Sequence, residues 1–210
     1  MERFICPLML LCLALAGFEC LAVPAEAGAD EIACLEKDDA SACIREGKHY
    51  YGEFNGSGNM SDLNKARELS DHGCKLNNAA GCWYAGIYYT FGEKTDLKKY
   101  ADRVKKACEL KDLRGCGEYA HALYFGVGVK KNVDKSLEYA LPACEQNISG
   151  SCSLVGSIYL YFFENNGFQD EHYDQAIKYL KQSCKTTRDR MACKNVKVLE
   201  EARKMRDQEK

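Results

Sequence analysis

The stretch CELKDLRGC, residues 108–116, sets two cysteines around seven residues that read as the end of one helix, a polar turn and the start of another. The frame recurs as CKLNNAAGC (74–82) and CEQNISGSC (144–152), and one residue longer as CLEKDDASAC (34–43) and CKTTRDRMAC (184–193). Successive frames begin 40, 34, 36 and 40 residues apart. A period in this range marks an array of helix-pair units, each too small to bury its apolar face alone. Because the frame is nearly constant in length, the variable residues lie in the other loop of each unit.

A helical pattern follows the second cysteine of each frame: CIREGKHYY, CWYAGIYYTF, CGEYAHALYF and CSLVGSIYLYF. Four residues on sits a small residue, Gly47, Gly86, Ala120 or Gly156, and a large apolar residue follows on the same helical face. Glycine costs about 1 kcal/mol relative to alanine inside a helix, so its recurrence there points to the close approach of a neighbouring helix. A second helix then leads into the next cysteine: SDLNKARELSDHGC, DLKKYADRVKKAC, VDKSLEYALPAC and YDQAIKYLKQSC. Ser61, Asp96 and Asn132 are the predicted N-caps. Turn formers fill the loops between the two helices, as in GEFNGSGNMS and GVGVKKN. Each unit is thus an antiparallel helix pair, with about four of them expected over residues 28–190 and a polar capping helix over 191–210.

Ahead of the array, MERFICPLMLLCLALAGFECLAVPAEAGADE offers Arg3, an apolar run from Phe4 to Phe18, and small residues ending in AEA. This is the pattern of a secretory signal peptide over residues 1–27, cut after Ala22 or Ala27. The run is short of the roughly 20 apolar residues that span a bilayer, so no stable membrane insertion is expected once it is removed. Lys and Arg number 29 against 31 Asp and Glu, a net charge of -2, which gives no general attraction to nucleic acid. Of 13 cysteines, Cys6, Cys12 and Cys20 fall in the leader, and the ten that remain are the five framed pairs. An even, regularly paired set in an exported chain is a disulfide framework. The expected location is secreted or periplasmic.

GCGEYAHALYFGVGVKKNVDKSLEYALPAC, residues 115–144, resembles a Sel1-like repeat, with its small residue in the first helix, its Gly-Val-Gly-Val loop and its alanine-containing second helix. The cysteine-framed joints are similar to those of the Helicobacter cysteine-rich family of Sel1-repeat proteins, which carry a β-lactamase label. The resemblance runs from about Cys34 to Cys193, and TFGEKTDLKK (90–99) departs from it by lacking the Gly-Val loop. It implies an all-α fold: a right-handed α-solenoid of Sel1-like, TPR-like helix-turn-helix repeats, stapled by disulfides. A monomeric scaffold for a protein or peptide partner follows as the main expectation. The alternatives are a β-lactam-binding or weakly hydrolysing enzyme, as the label implies, and an assembly factor in an oxidising compartment.

Zinc would require ligand pairs two to four residues apart closing a tetrahedron, and five frames of seven or eight intervening residues without a paired histidine do not fit. A thioredoxin-like role wants Cys-x-x-Cys, which is absent. Neither a metal nor a cofactor is therefore expected. The frame instead folds back on itself, bringing its two cysteines to bridging distance. The predicted pairs are Cys34/Cys43, Cys74/Cys82, Cys108/Cys116, Cys144/Cys152 and Cys184/Cys193.

A serine β-lactamase needs Ser-x-x-Lys with Ser-Asp-Asn and Lys-Thr-Gly elements, because the hydroxyl must be activated by a nearby base. None is present: KTT begins at Lys185 and SDH at Ser70. His49, His72, His121 and His172 are isolated singles. No catalytic residue is assigned. What remains is the aromatic content of the first helix of each unit, which lines the inner surface in helical-repeat folds. Offsets two, five, six and nine from the second cysteine select Tyr84, Ile87, Tyr88, Glu118, His121 and Tyr161 as the candidate concave binding face.

Overall fold

The structure is a computed structural model that describes residues 28–208 except Lys94 and Gly167. The expected signal peptide, residues 1–27, lies outside the described residues. Ten helices and no strand occur among the described residues. They are α1 (Ala29–Lys37), α2 (Ala40–Ser57), α3 (Met60–Lys75), α4 (Ala79–Tyr88) and α5 (Leu97–Glu109), followed by α6 (Leu113–Phe125), α7 (Val133–Glu145), α8 (Ser151–Asn165), α9 (Asp170–Thr186) and α10 (Arg190–Gln208).

Helices α2/α3, α4/α5, α6/α7 and α8/α9 form the four pairs, and each pair packs on the next through α3/α4, α5/α6 and α7/α8. The first helices of successive pairs, α2, α4, α6 and α8, also touch one another, whereas α3, α5, α7 and α9 make no comparable contact among themselves. The layer of first helices is therefore the tighter one and forms the inner side of the array.

The apolar interior is a string of small clusters rather than one core, as expected where each repeat meets only its neighbours. Leu63 and Ala66 of α3 pack with Tyr88 of α4, Tyr100 and Val104 of α5 with Tyr119 and Leu123 of α6, and Leu180 of α9 with Ala192 and Val196 of α10. Within pairs the recurring small residue is where the two helices cross. A methyl group on Gly86 would lie 2.7 Å from Val104 Cγ1, and one on Gly156 would lie 2.6 Å from Leu180 Cγ. At the start of the array Glu31, only 2% exposed, pairs with Lys65 and accepts a hydrogen bond from Tyr50 Oη, tying α1 to α2 and α3.

The joints share one backbone device. Each contains a single non-glycine residue in the left-handed region: Asp38, Asn77, Lys111, Asn147 or Arg188. In the shorter frames the next N–H reaches back five residues, from Asn78 to Gly73 O, Asp112 to Ala107 O and Ile148 to Ala143 O, and closes the outgoing helix. The chain then turns straight into the following helix. This folding back brings all five cysteine pairs together, with Cα–Cα distances from 4.3 Å for Cys74/Cys82 to 4.8 Å for Cys184/Cys193, so each bridge spans a joint between two units.

Asp96 and Asn132 cap α5 and α7, accepting hydrogen bonds from Lys99 N and Lys135 N. The cap of α3 is Asn59 rather than Ser61: Asn59 Oδ1 accepts from Ser61 N, and the helix begins at Met60. It starts that early because Gly58, in the left-handed region, ends α2 and places Asn59 directly at the turn. The short helix α4 is closed by Arg67 of α3, whose guanidinium donates to Tyr88 O and Phe91 O at 3.0 and 2.6 Å.

Candidate ligand-binding groove

One position decides where the inner surface opens. Four residues before the second cysteine, the frames carry Asp39, Asn78, Asp112, Ile148 and Asp189. The four polar ones each accept a hydrogen bond from an amide in the first turn of the helix that follows. Ile148 has no acceptor to offer, so α8 does not begin beside it. The chain continues through Ser149 and Gly150, with Gly150 at φ 79°, and α8 starts only at Ser151, without a side-chain cap. The loop so formed is one wall of a cleft of about 680 Å³.

The other walls come from two inner helices. Trp83 and Ile87 project from α4 and Thr90 from the turn that follows it, and Arg114, Glu118 and His121 project from α6. Leu154 of α8, Val127 and Tyr100 complete an apolar floor. Three successive units therefore contribute to one depression on the inner side.

Its polar groups are placed by specific contacts. Arg114 donates to both carboxylate oxygens of Asp112, from Nε at 3.0 Å and from Nη2 at 2.6 Å. That anchoring sets the guanidinium over the indole of Trp83, 4.3 Å from the ring centroid. Tyr100 Oη donates to Glu118 Oε2 at 2.9 Å, and burial, with the charge of Glu118, pushes the Tyr100 hydroxyl well above the usual tyrosine range. His121 is exposed at the mouth, its ring against Phe125. Two buried polar atoms in the walls, Trp83 Nε1 and Ser151 Oγ, have no hydrogen-bond partner.

The six residues expected on the binding face divide. Ile87, Glu118 and His121 meet in the cleft. Tyr84 adjoins it, half-buried, with its ring edge on Trp83 at 4.7 Å. Tyr161 lies elsewhere, in a separate depression with Lys131 and Asn165, its ring 4.9 Å from Lys131 Nζ. Tyr88 is not a surface residue: it is 2% exposed and stacked on Tyr51 at 4.4 Å. Successive helical residues are turned by about 100°, which is enough to carry Tyr88 from the groove wall occupied by Ile87 into the contact with α2 and α3.

Trp83, Arg114, Ile148 and Ser151 escape an offset rule because they sit beside or before the second cysteine, where the joint rather than the helix face sets direction. The missing Asx residue at Ile148 was the available signal.

Groups able to hold a metal are scarce among the described residues. Cys34, Cys43 and His72 lie close together, but the two sulfurs are bonded to each other and offer no thiolate. His72 Nε2 faces Asp38 Oδ1 at 3.0 Å, at the end of α3.

The chain matches no known family model and no curated protein. Among solved structures it is similar to a Sel1 repeat protein from Oxalobacter formigenes, with a TM-score of 0.61 and 19% identity over 80% of this chain and 64% of that one. This chain thus spans less than two thirds of that protein, and the likeness shows the fold: a Sel1-repeat solenoid. Two further matches are c5321, a protective antigen of uropathogenic Escherichia coli with an SLR fold (TM-score 0.48, 18% identity, 80% of this chain and 42% of that one), and Helicobacter pylori cysteine rich protein B (TM-score 0.39, 26% identity, 56% and 95%).

Proposed function

We propose that this protein is an exported, disulfide-stapled interaction scaffold that holds a segment of a protein partner in the cleft between α4, α6 and α8. The observation that carries this reading is the cleft itself, an apolar depression spanning three repeats and edged by the Trp83–Arg114 stack. Clefts of this size, mainly apolar with a few convergent polar groups, are the usual form of a ligand site. Tryptophan and arginine are also the residue types that carry most energy in binding surfaces.

Five cystine bridges fit an oxidising, extracytoplasmic compartment, and no helix among the described residues is long and apolar enough to cross a membrane. Export rests on the leader pattern of residues 1–27, with the repeats and the α10 cap forming the mature chain. The β-lactam reading, which calls for an activated serine, draws no support from the cleft, because its buried serine hydroxyl, Ser151 Oγ, has no base hydrogen-bonded to it.

Selection of displayed peptides on the immobilised, oxidised protein tests the proposal, with Ile87→Asn as the counter-target. Enriched sequences that bind the parent and not the variant are the expected result. Enrichment indifferent to Ile87→Asn would place binding elsewhere and overturn it.

A further inference from the structure

The cleft contains two hydrogen-bonding groups that the fold buries and leaves unmatched. Trp83 Nε1 and Ser151 Oγ are both out of contact with solvent and without a partner, and both residues line the cleft. Ser151 is 3% exposed. Space for its hydroxyl exists because residue 117 is glycine: a methyl group there would lie 2.7 Å from Ser151 Oγ. Beside it the first turn of α8, uncapped by any side chain, presents the partial positive charge of a helix N-terminus. An indole N–H only donates, and a hydroxyl donates readily. A ligand that fits must bring oxygen acceptors.

Glu118 decides which kind of oxygen. Its carboxylate lines the same cleft and is held by Tyr100 Oη, and no lysine or arginine pairs with it among the described residues. The arginine of the walls, Arg114, is taken by both oxygens of Asp112. A ligand carboxylate would satisfy the two donors but meet an unneutralised like charge in a partly dry site, where such repulsion is strong. A main-chain carbonyl satisfies them without that repulsion, and a basic side chain gains from Glu118.

We infer that the cleft takes an extended, basic peptide segment: the Trp83 and Ser151 side chains turn toward it so that main-chain carbonyls accept from Nε1 and Oγ, a lysine or arginine pairs with Glu118, and a flanking apolar side chain lies on Ile87 and Leu154. This rests on the groove reading above and adds the chemistry of its ligand.

Trp83 is the single tryptophan of the chain, so its emission reports on the cleft directly. The probes are two end-capped peptides, acetyl-Gly-Leu-Lys-Leu-Gly-amide and its counterpart with glutamate in place of lysine, titrated into the oxidised full-length mature protein. The lysine peptide changes the emission saturably and binds about tenfold or more tighter than the glutamate peptide, the scale of one favourable against one repulsive charge contact. Ser151→Ala weakens it by roughly threefold to tenfold, the loss of one hydrogen bond. Gly117→Ala, which fills the space beside Ser151 while keeping both donors, weakens it as well, and Glu118→Gln removes the preference for lysine. Circular dichroism establishes that each variant is folded.

Equal or tighter binding of the glutamate peptide overturns the inference. So does binding that is lost in Ile87→Asn yet indifferent to both Ser151→Ala and Glu118→Gln, an outcome that leaves the groove reading standing. If neither peptide binds, the inference falls, and the display selection then judges the groove reading by itself.

Discussion

The guanidinium of Arg114 lies over the indole of Trp83, 4.3 Å from the ring centroid, and joins the inner helices of two successive repeats at the rim of the cleft. Its direction is fixed by the two hydrogen bonds to Asp112, which also caps α6. One frame, CELKDLRGC, thus supplies a staple, a cap and a wall of the cleft.

Removing that guanidinium uncovers Trp83. Arg114→Ala is expected to shift the emission of Trp83 to the red and to lower stability by about 1 kcal/mol, the scale of a partly exposed cation–π contact. Arg114→Lys does not restore the spectrum, because an ammonium neither stacks flat on the ring nor bridges both oxygens of Asp112. Fluorescence spectra and urea unfolding read both effects.

Two helix glycines respond to alanine with opposite sign. At Gly156 the new methyl meets Leu180 at 2.6 Å, and overpacking of about 1–3 kcal/mol exceeds the roughly 1 kcal/mol of helix propensity gained. Gly52 of α2 has nothing within 4 Å of the same atom, so Gly52→Ala is stabilising by about 0.5–1 kcal/mol. Thermal melts of the two variants should move in opposite directions.

The central staple is local in effect. Replacing Cys108 and Cys116 together by alanine reopens a loop of about nine residues, worth about 2.5 kcal/mol in the loop-entropy account. The expected loss is of that size, and hydrogen exchange should rise first in α5 and α6, because a solenoid passes stress only to neighbouring repeats. A uniform rise along the chain would contradict this.

Acid should release the capping helix. Burial raises the pKa of Asp189, but the amide of Ala192, the hydroxyl of Ser153, the amide of Met191 and the hydroxyl of Ser183 outweigh it and hold the carboxyl below its ordinary value. A group with a depressed folded pKa stabilises fully above its unfolded value, about 3.9, and loses that contribution as pH falls through the folded one. Melting temperature measured across the range below about pH 4 should therefore fall more steeply for the parent than for Asp189→Asn, which has no charge to lose.

The period of the frames, the small residue four positions after the second cysteine of the first four frames, and the cysteine pairing are all legible in the sequence. Each depends on near neighbours in the chain: a joint of eight or nine residues places its own two sulfurs together, and a helix repeats its face every few residues. The Asp and Asn caps were equally local, with Asp96 and Asn132 readable and Ser61 displaced by Asn59 only because Gly58 ends the preceding helix. Lys111 in the left-handed region was not readable, since lysine carries no preference for that conformation and the closure from Asp112 N to Ala107 O imposes it.

The sequence by itself determined that this chain is a repeating array of stapled helix pairs, because repetition, capping and short-loop bridging are written within single units. Only the tertiary structure decided where the array opens into a cleft. It turned Tyr88 into the core and Tyr161 toward a separate depression, and it let an isoleucine in place of a cap open a loop between repeats. It also brought Trp83, Glu118 and Ser151, from three different units, into one cleft. The angle at which one repeat meets the next belongs to no single unit, so no pattern inside a unit could specify the surface they share.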